Sequence, residues 1–225
     1  NFPEALMVQG QYQVKPNHPF IPGSEFSGIV SALGEGVENF KVGDRVIGIS
    51  PDFGAFAEKI AVDASCLIPT PDGMPHRVAA NILLAHGTAY HGLKQRGQLQ
   101  VRETLVVLGA AGGTGLAAVQ IGKAMGARVI AACSTAEKLQ LAKINGADMV
   151  INYTEQDLKV AIKDLTSGKG ADVVYDPVGG EVFDACSRAM ARNGRLLTIG
   201  FASGQIPVLP ANLPLVKEYA LVGVF

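Results

Sequence analysis

The chain has 225 residues, 48% of them hydrophobic and 17% charged, which is too apolar for a disordered segment and long enough for one large domain or two small ones. Nineteen Lys and Arg against twenty Asp and Glu leave a net charge of -1, so no large electrostatic commitment to nucleic acid or an anionic membrane is expected. The 27 glycines exceed the usual share of about 7% without a collagen-like period, which assigns them to turns and close backbone approaches.

Two textures meet near residue 86. Before it, Gly and Pro punctuate short runs: Pro19 to Gly23, Phe26 to Val30, and Val42 to Gly48. These runs predict strands of a compact all-β unit, with Gly23, Gly28, Gly43 and Gly48 at its turns. Beyond residue 86 strands and helices alternate. The apolar run Leu105 to Leu108 predicts a buried strand, followed by a helix from Leu116 to Met125 and a strand from Arg128 to Ala132. A helix from Ala136 to about Asn145 ends at Gly146, and a strand follows at Met149 to Ile151. Next come a helix near Glu155 to Leu165, a strand at Asp172 to Tyr175, a helix at Glu181 to Ala191 and a strand at Arg195 to Ile199. Uncharged strands alternating with helices predict a parallel sheet covered on both faces. The last strand, Tyr219 to Val224, is expected at its edge.

Cys66, Cys133 and Cys186 are odd in number, far apart and without a Cys-x-x-Cys pair. Neither a disulfide framework nor structural zinc is expected, and a reducing compartment fits. The longest apolar stretch, Leu105 to Val119, falls short of the ~20 residues of a membrane span. The start, Asn1-Phe2-Pro3-Glu4, lacks the features of a signal peptide. A soluble cytoplasmic protein with no membrane partner is the expectation, with a mitochondrial location left open.

The strand Leu105–Leu108 runs into Gly109-Ala110-Ala111-Gly112-Gly113-Thr114-Gly115 and then a helix. Small residues at such a turn let a diphosphate approach backbone N–H groups at the helix N-terminus, where the helix dipole favours an anion. Gly112 admits the close approach, and Gly115 lets the helix pack on the strand. Ala110 stands at the first glycine of Gly-x-Gly-x-x-Gly; a tight turn without ligand is the plainer alternative. At the end of the next strand an adenosine ribose with a free 2′-OH is usually held by Asp or Glu, and here the sequence reads Cys133-Ser134-Thr135. Ser134 as donor and Lys138 as cation suit a 2′-phosphate, so NADPH is expected over NADH. Tyr153 would close the adenine side. Ser134 to Glu137 also reads as a capping box.

Three segments, Pro22-Gly23-Ser24-Glu25-Phe26-Ser27-Gly28-Ile29-Val30, Gly34-Glu35-Gly36-Val37 and Gly43-Asp44-Arg45-Val46, resemble the catalytic domain of medium-chain dehydrogenase/reductases. The glycine turn, Gly146-Ala147-Asp148 with Ile151-Asn152-Tyr153, Asp176-Pro177-Val178-Gly179-Gly180 and Gly194-Arg195 leading to Gly200 resemble its zinc-free quinone oxidoreductase branch, which includes zeta-crystallin. The resemblance implies an α/β fold: a Rossmann-type doubly wound parallel sheet for NADP(H) over 87–225, and a partial GroES-like β domain over 1–86. It also implies that the chain lacks both ends of such an enzyme.

Further expectations follow from the resemblance alone. Zinc-dependent relatives carry His in a Gly-His-Glu motif where this chain has Ser24, and a Cys ligand near the place of Asn1. His18, His76, His86 and His91 offer no ligand spacing, so a metal-free enzyme is expected, with Glu25 a structural carboxylate. Asn1 matches an Asn beside nicotinamide and substrate, whose amide would hydrogen-bond a carbonyl oxygen. Tyr12 matches a pocket tyrosine, or is a half-exposed loop aromatic; a second pocket tyrosine is replaced by Leu6. Thr88 matches a residue that contacts nicotinamide. Backbone groups of Val178 and of Gly200, Phe201 and Ala202 would hold its carboxamide. The implied activity is NADPH-dependent hydride transfer to a quinone or other conjugated carbonyl. Rival readings are an enoyl-thioester or alkene reductase, and an NADPH-binding sensor or structural protein without turnover. A homodimer through the sheet edge is also implied.

Overall fold

The computed structural model describes residues 1–225, which divide into two compact units, Asn1–Ala85 and His86–Phe225.

In the first unit three short strands, β1 (Glu25–Ile29), β2 (Arg45–Ile49) and β3 (Leu67–Pro69), form an antiparallel sheet in that order. The unit is not all-β. Helix α1 (Phe2–Val8) precedes the sheet, with Pro3 in its first turn, where a missing N–H costs nothing. After β3 come α2 (His76–Ala79) and the first residues of α3 (Ile82–Tyr90). Gly28 and Gly48 lie inside β1 and β2 rather than at turns. The Phe26 ring covers Gly48 so closely that a Cβ there would fall 2.4 Å from it.

The second unit opens with the rest of α3, which runs into a π-helical segment, His91–Arg96. Six strands follow: β4 (Thr104–Leu108), β5 (Arg128–Cys133), β6 (Met149–Asn152), β7 (Ala171–Asp176), β8 (Met190–Thr198) and β9 (Ala220–Gly223). They form one parallel sheet in the order β6-β5-β4-β7-β8-β9. Between and after them lie α4 (Gly113–Ala124), α5 (Ala136–Ile144), α6 (Leu158–Leu165), α7 (Gly180–Ser187) and α8 (Asn212–Lys217). This is a Rossmann-like doubly wound sheet.

Both sheet faces are covered, which is why its strands read as unbroken apolar runs. Val106, Ile130, Val174 and Leu196 share a cluster with Ile162 of α6 and Phe183 of α7. On the opposite face the small side of α4 sits on Leu105, Gly92 of the π-helical segment sits on Tyr175, and Gly97 just after it sits on Leu197. Each fully buried Leu, Ile or Phe contributes about 1.5–3 kcal/mol of transfer free energy.

Helix α7 stops at Ser187, short of the expected Ala191. Ser187 Oγ donates to the Asp184 carbonyl at 2.7 Å, and the Ala171 N–H donates to the Ala189 carbonyl at 2.9 Å. Pairing with β7 therefore overrides the helix propensity of Ala189-Met190-Ala191, all three fully buried. A register shift between Ala171 and Val173 then carries β8 on to Thr198. Helix α6 begins at Leu158, because the Asp157 side chain caps the Val160 N–H at 2.9 Å. No helix is long and apolar enough to cross a membrane.

Candidate functional site

Strand β4 is flanked by β5 on one side and β7 on the other, so the chain reverses its winding direction there. In open parallel sheets ligands bind beyond the strand C-termini at that reversal. The turn after β4 is closed by a hydrogen bond from the Gly112 N–H to the Gly109 carbonyl, 2.9 Å. Helix α4 starts inside the expected turn, at Gly113, and Gly112 offers no side chain to cap it. The N–H groups of Gly113, Thr114 and Gly115 therefore have no partner within the helix. The first intrahelical bond runs from the Leu116 N–H to the Gly112 carbonyl, 2.8 Å. A Cβ on Gly115 would lie 2.3 Å from the Gly109 carbonyl oxygen, so only glycine permits this contact between helix and turn. Around Gly113 a Cβ would meet nothing within 4 Å. Ala111 is half-buried at the tip. Thr114 is held by a hydrogen bond between its hydroxyl and that of Tyr175. Burial pushes the Tyr175 phenol up to about 12, with the Thr114 bond opposing.

At the end of β5, Ser134 and Lys138 stand together, Lys138 Nζ donating to Ser134 Oγ at 3.3 Å. The helix cap is Thr135 rather than Ser134: Thr135 Oγ1 accepts the Lys138 N–H at 3.4 Å. The expected Ser134–Glu137 capping box does not form, because with Thr135 as the cap the third helical residue is Lys138, which has no acceptor to return; the Ser134 hydroxyl is left to Lys138. Glu137 is folded back on its own N–H and on Thr135, contacts that lower its pKa. The carbonyl of Ser134 accepts from Thr154 Oγ1 at 3.3 Å. Tyr153 follows β6, half-buried, its N–H on the Cys133 carbonyl at 3.1 Å. Cys133 lies beneath the glycine turn. Burial pushes its thiol up, and the N–H groups of Ala111 and Ala110 oppose the shift.

Beyond β7 the chain turns on Asp176, a residue to which the sequence alone assigns no role. Its Oδ1 accepts the N–H groups of Val178 and Gly179, at 2.7 and 2.9 Å, while Oδ2 is buried without a partner. Burial raises its pKa despite those two bonds. The Asp-Pro start of the segment carries the signal for such a turn, because Asp side chains accept the N–H two residues on. The turn after β8 is bound to it. The Gly200 N–H reaches the Asp176 carbonyl at 3.4 Å, the Ala202 N–H the Pro177 carbonyl at 3.0 Å, and the Ser203 N–H the Val178 carbonyl at 2.9 Å. Among the backbone groups expected to hold a carboxamide, the N–H groups of Val178, Gly200 and Ala202 are thus bonded within these turns, and the Phe201 N–H is left with no such bond.

The structure thus gathers Ala111 to Gly115, Ser134, Lys138, Tyr153, Val178 and Gly200 to Ala202 at the C-terminal ends of the strands of one sheet. Thr88 lies in the middle of α3, with no hydrogen bond to those strand ends. Asn1 and Tyr12 belong to the first unit. Asn1, just before α1, donates from Nδ2 to Glu25 Oε1 at 2.8 Å, and Glu25 Oε2 accepts the Leu84 N–H at 3.0 Å. Tyr12 is half-buried in a bend after α1, and no hydrogen bond joins it to Asn1. His86 Nε2 faces Gln120 Oε1 at 3.0 Å, and Gln120 Nε2 donates to Asn145 Oδ1 at 2.8 Å. No three His, Cys, Asp or Glu side chains come together as metal ligands.

The sequence profile described as zinc-binding dehydrogenase matches residues 113–225, and that of the alcohol dehydrogenase GroES-like domain matches residues 1–72. The chain belongs to the medium-chain dehydrogenase/reductase superfamily. Within it, the chain is similar to the quinone oxidoreductase-like protein 2 homolog of Nematostella vectensis, at 42% identity over all of this chain and 62% of that protein. It is also similar to the structure of Escherichia coli quinone oxidoreductase complexed with NADPH: 33% identity, TM-score 0.90, 98% of this chain and 68% of that one. A structure described as an NAD-dependent alcohol dehydrogenase superposes with TM-score 0.93 at 31% identity, over 100% of this chain and 73% of the other. The chain therefore spans less than two thirds of the length of the Nematostella relative.

Proposed function

We propose that the chain forms the NADPH-binding unit and part of the acceptor-binding unit of a metal-free oxidoreductase, which transfers hydride to a quinone or other conjugated carbonyl. One observation carries the cofactor reading. The uncapped start of α4 opens onto free space at Gly113, and the end of β5 presents Ser134 and Lys138 3.3 Å apart where an NAD site would place a carboxylate. The donors fit a dinucleotide bearing a 2′-phosphate. The Gly113, Thr114 and Gly115 N–H groups would take the diphosphate. Ser134 Oγ and Lys138 Nζ would take the 2′-phosphate, and Tyr153 would lie against adenine. The fold is shared with a protein described as NAD-dependent, so the preference rests on these side chains and on the likeness to NADPH-bound quinone oxidoreductases.

NADPH supplies the hydride. The chain's own contribution is to place the acceptor and to stabilise charge as it develops. Asn1 retains a second Nδ2–H beyond the one given to Glu25, and that N–H would donate to the acceptor oxygen as it gains electron density. A quinone so reduced takes its proton from water, which requires no positioned acid. Strand β9 pairs on one side only, with β8, and exposes Leu221. We also propose that this edge pairs with a second copy, which would remove an unpaired strand edge.

Fluorescence-quenching titrations of NADPH and NADH, repeated on Lys138→Ala and Ser134→Ala, test the cofactor reading. Equal affinity for both nucleotides, unchanged in the variants, would sink it. Single-turnover oxidation of NADPH by a quinone, an enone and a crotonyl thioester tests the acceptor. Fast reaction with the thioester alone would make the protein an enoyl-thioester reductase.

A further inference from the structure

Glu25 is a carboxylate only 7% exposed, and its hydrogen bonds go to an amide and a backbone N–H. One explanation lies in α3. Asn81, the residue before that helix, turns its amide back to the Arg77 carbonyl at 2.9 Å instead of capping the helix. Leu84, third in α3, is left with one of the orphan donors of a helix start. Glu25 Oε2 accepts it at 3.0 Å across 59 residues of sequence, and a carboxylate at a helix N-terminus is favoured by the helix dipole. The other oxygen then has a fixed direction, and it accepts Asn1 Nδ2 at 2.8 Å.

An ionised carboxylate accepts and cannot donate, whereas a side-chain amide has a donor end and an acceptor end. With Oε1 facing Asn1, the reversed amide would set Oδ1 against a carboxylate oxygen with no proton between them. We infer that Glu25 is a positioning residue: pinned by the first turn of α3, it fixes the orientation of the Asn1 amide, so that Asn1 meets the acceptor as a hydrogen-bond donor. This rests on the role given to Asn1 under the proposed function. It assigns Glu25 a job beyond filling the unit, performed through Asn1.

The test is a two-residue cycle of Asn1→Ala, Glu25→Gln and the double variant in the intact protein, with kcat and KM for a quinone and Kd for NADPH. In Glu25→Gln the remaining carbonyl oxygen can still accept the Leu84 N–H, but the new NH2 would call Asn1 Oδ1 toward it and reverse the amide. Glu25→Gln should lower kcat by on the order of a hundredfold, as loss of one donor to a developing oxyanion does, with NADPH Kd unchanged. In the Asn1→Ala background the same substitution should cost nothing further, within about twofold. An added loss in the double variant overturns the proposal, because Glu25 would then act apart from Asn1. A silent Glu25→Gln beside a damaging Asn1→Ala overturns the positioning role alone. A silent Asn1→Ala removes Asn1 from the reaction and the inference with it.

Should Glu25→Gln fail to fold, 15N-asparagine labelling reads the same contact in the unaltered protein. The Nδ2 signals of Asn1, assigned by their loss in Asn1→Ala, should be two distinct protons, the one on Glu25 exchanging more slowly with water. Two fast-exchanging protons would overturn the inference.

Discussion

Arg195 holds Glu103 with a two-pronged contact, Nη1 to Oε1 at 2.9 Å and Nη2 to Oε2 at 2.6 Å. The same guanidinium reaches the Gly97 carbonyl at 2.7 Å and the Gln98 carbonyl at 3.3 Å. It thereby binds the segment entering β4 to strand β8, at the end of the sheet away from the glycine turn. Both side chains are about one-fifth exposed, 18% and 21%, so water screens the pair only in part. Lysine offers one point charge in place of a planar fork. Arg195→Lys should cost about 1–3 kcal/mol in urea unfolding while NADPH affinity at the opposite end stays as it was.

The glycine turn separates two requirements that one motif merges. Ala at 115 would place Cβ 2.3 Å from the Gly109 carbonyl oxygen and 2.9 Å from its carbon, backbone atoms that cannot swing aside. Gly115→Ala should destabilise by about 1–3 kcal/mol and lose NADPH. Gly113→Ala meets no atom of the chain and improves helix propensity. It should melt no lower than the parent, yet bind NADPH about tenfold more weakly, a cost of ~1.4 kcal/mol. Undiminished binding by Gly113→Ala would remove the diphosphate from that space.

Tyr175 is fully buried, and its hydroxyl is partnered by Thr114. Thr114→Val should cost about 1–3 kcal/mol, because it strands a buried donor. The double variant Thr114→Val with Tyr175→Phe removes both partners and should recover most of that loss. Thermal melts of the two singles and the double would report it.

Ionisation of Asp176 works against the fold. Burial raises its carboxyl above the ordinary 3.8, so the folded chain retains a proton that the unfolded chain releases. Its contribution to stability is therefore full below the unfolded value and is lost as pH rises through the folded one. Asp176→Asn is neutral throughout and keeps an oxygen for the Val178 and Gly179 N–H groups. Relative to this variant, the parent should lose unfolding free energy as pH is raised from about 4. Parallel profiles would place the charge elsewhere.

The parallel sheet was legible because strands buried on both faces have no polar alternation to obscure them: Leu105 to Leu108 and Ala171 to Asp176 are buried throughout. The region from His76 to Arg96 was not. Residues Ile82 to Ala85 carry no polar stripe, and the glycines at 87 and 92 weaken any local helix preference. The end of α7 failed for the opposite reason, since Ala-Met-Ala favours helix and only pairing with β7 decides against it. Within the candidate site, the glycines, Ser134 and Lys138 were proposed from spacing, and their placement at the ends of β4 and β5 follows from the strand–turn–helix order. The bond between Glu25 and Asn1 was not, because its geometry is set by Leu84, 59 residues away. The internal use of the Val178 and Ala202 N–H groups was hidden likewise, since it arises where two strand-end turns meet.

The three thiols give each unit its own clock. Cys66 is half-buried in a single turn of 3-10 helix, whereas Cys133 and Cys186 are enclosed in the second unit. Thiol reagents should mark Cys66 first and the other two only when the sheet opens. Because Cys133 lies directly under the turn proposed for the diphosphate, saturating NADPH should slow its labelling and leave the timing of Cys66 unchanged.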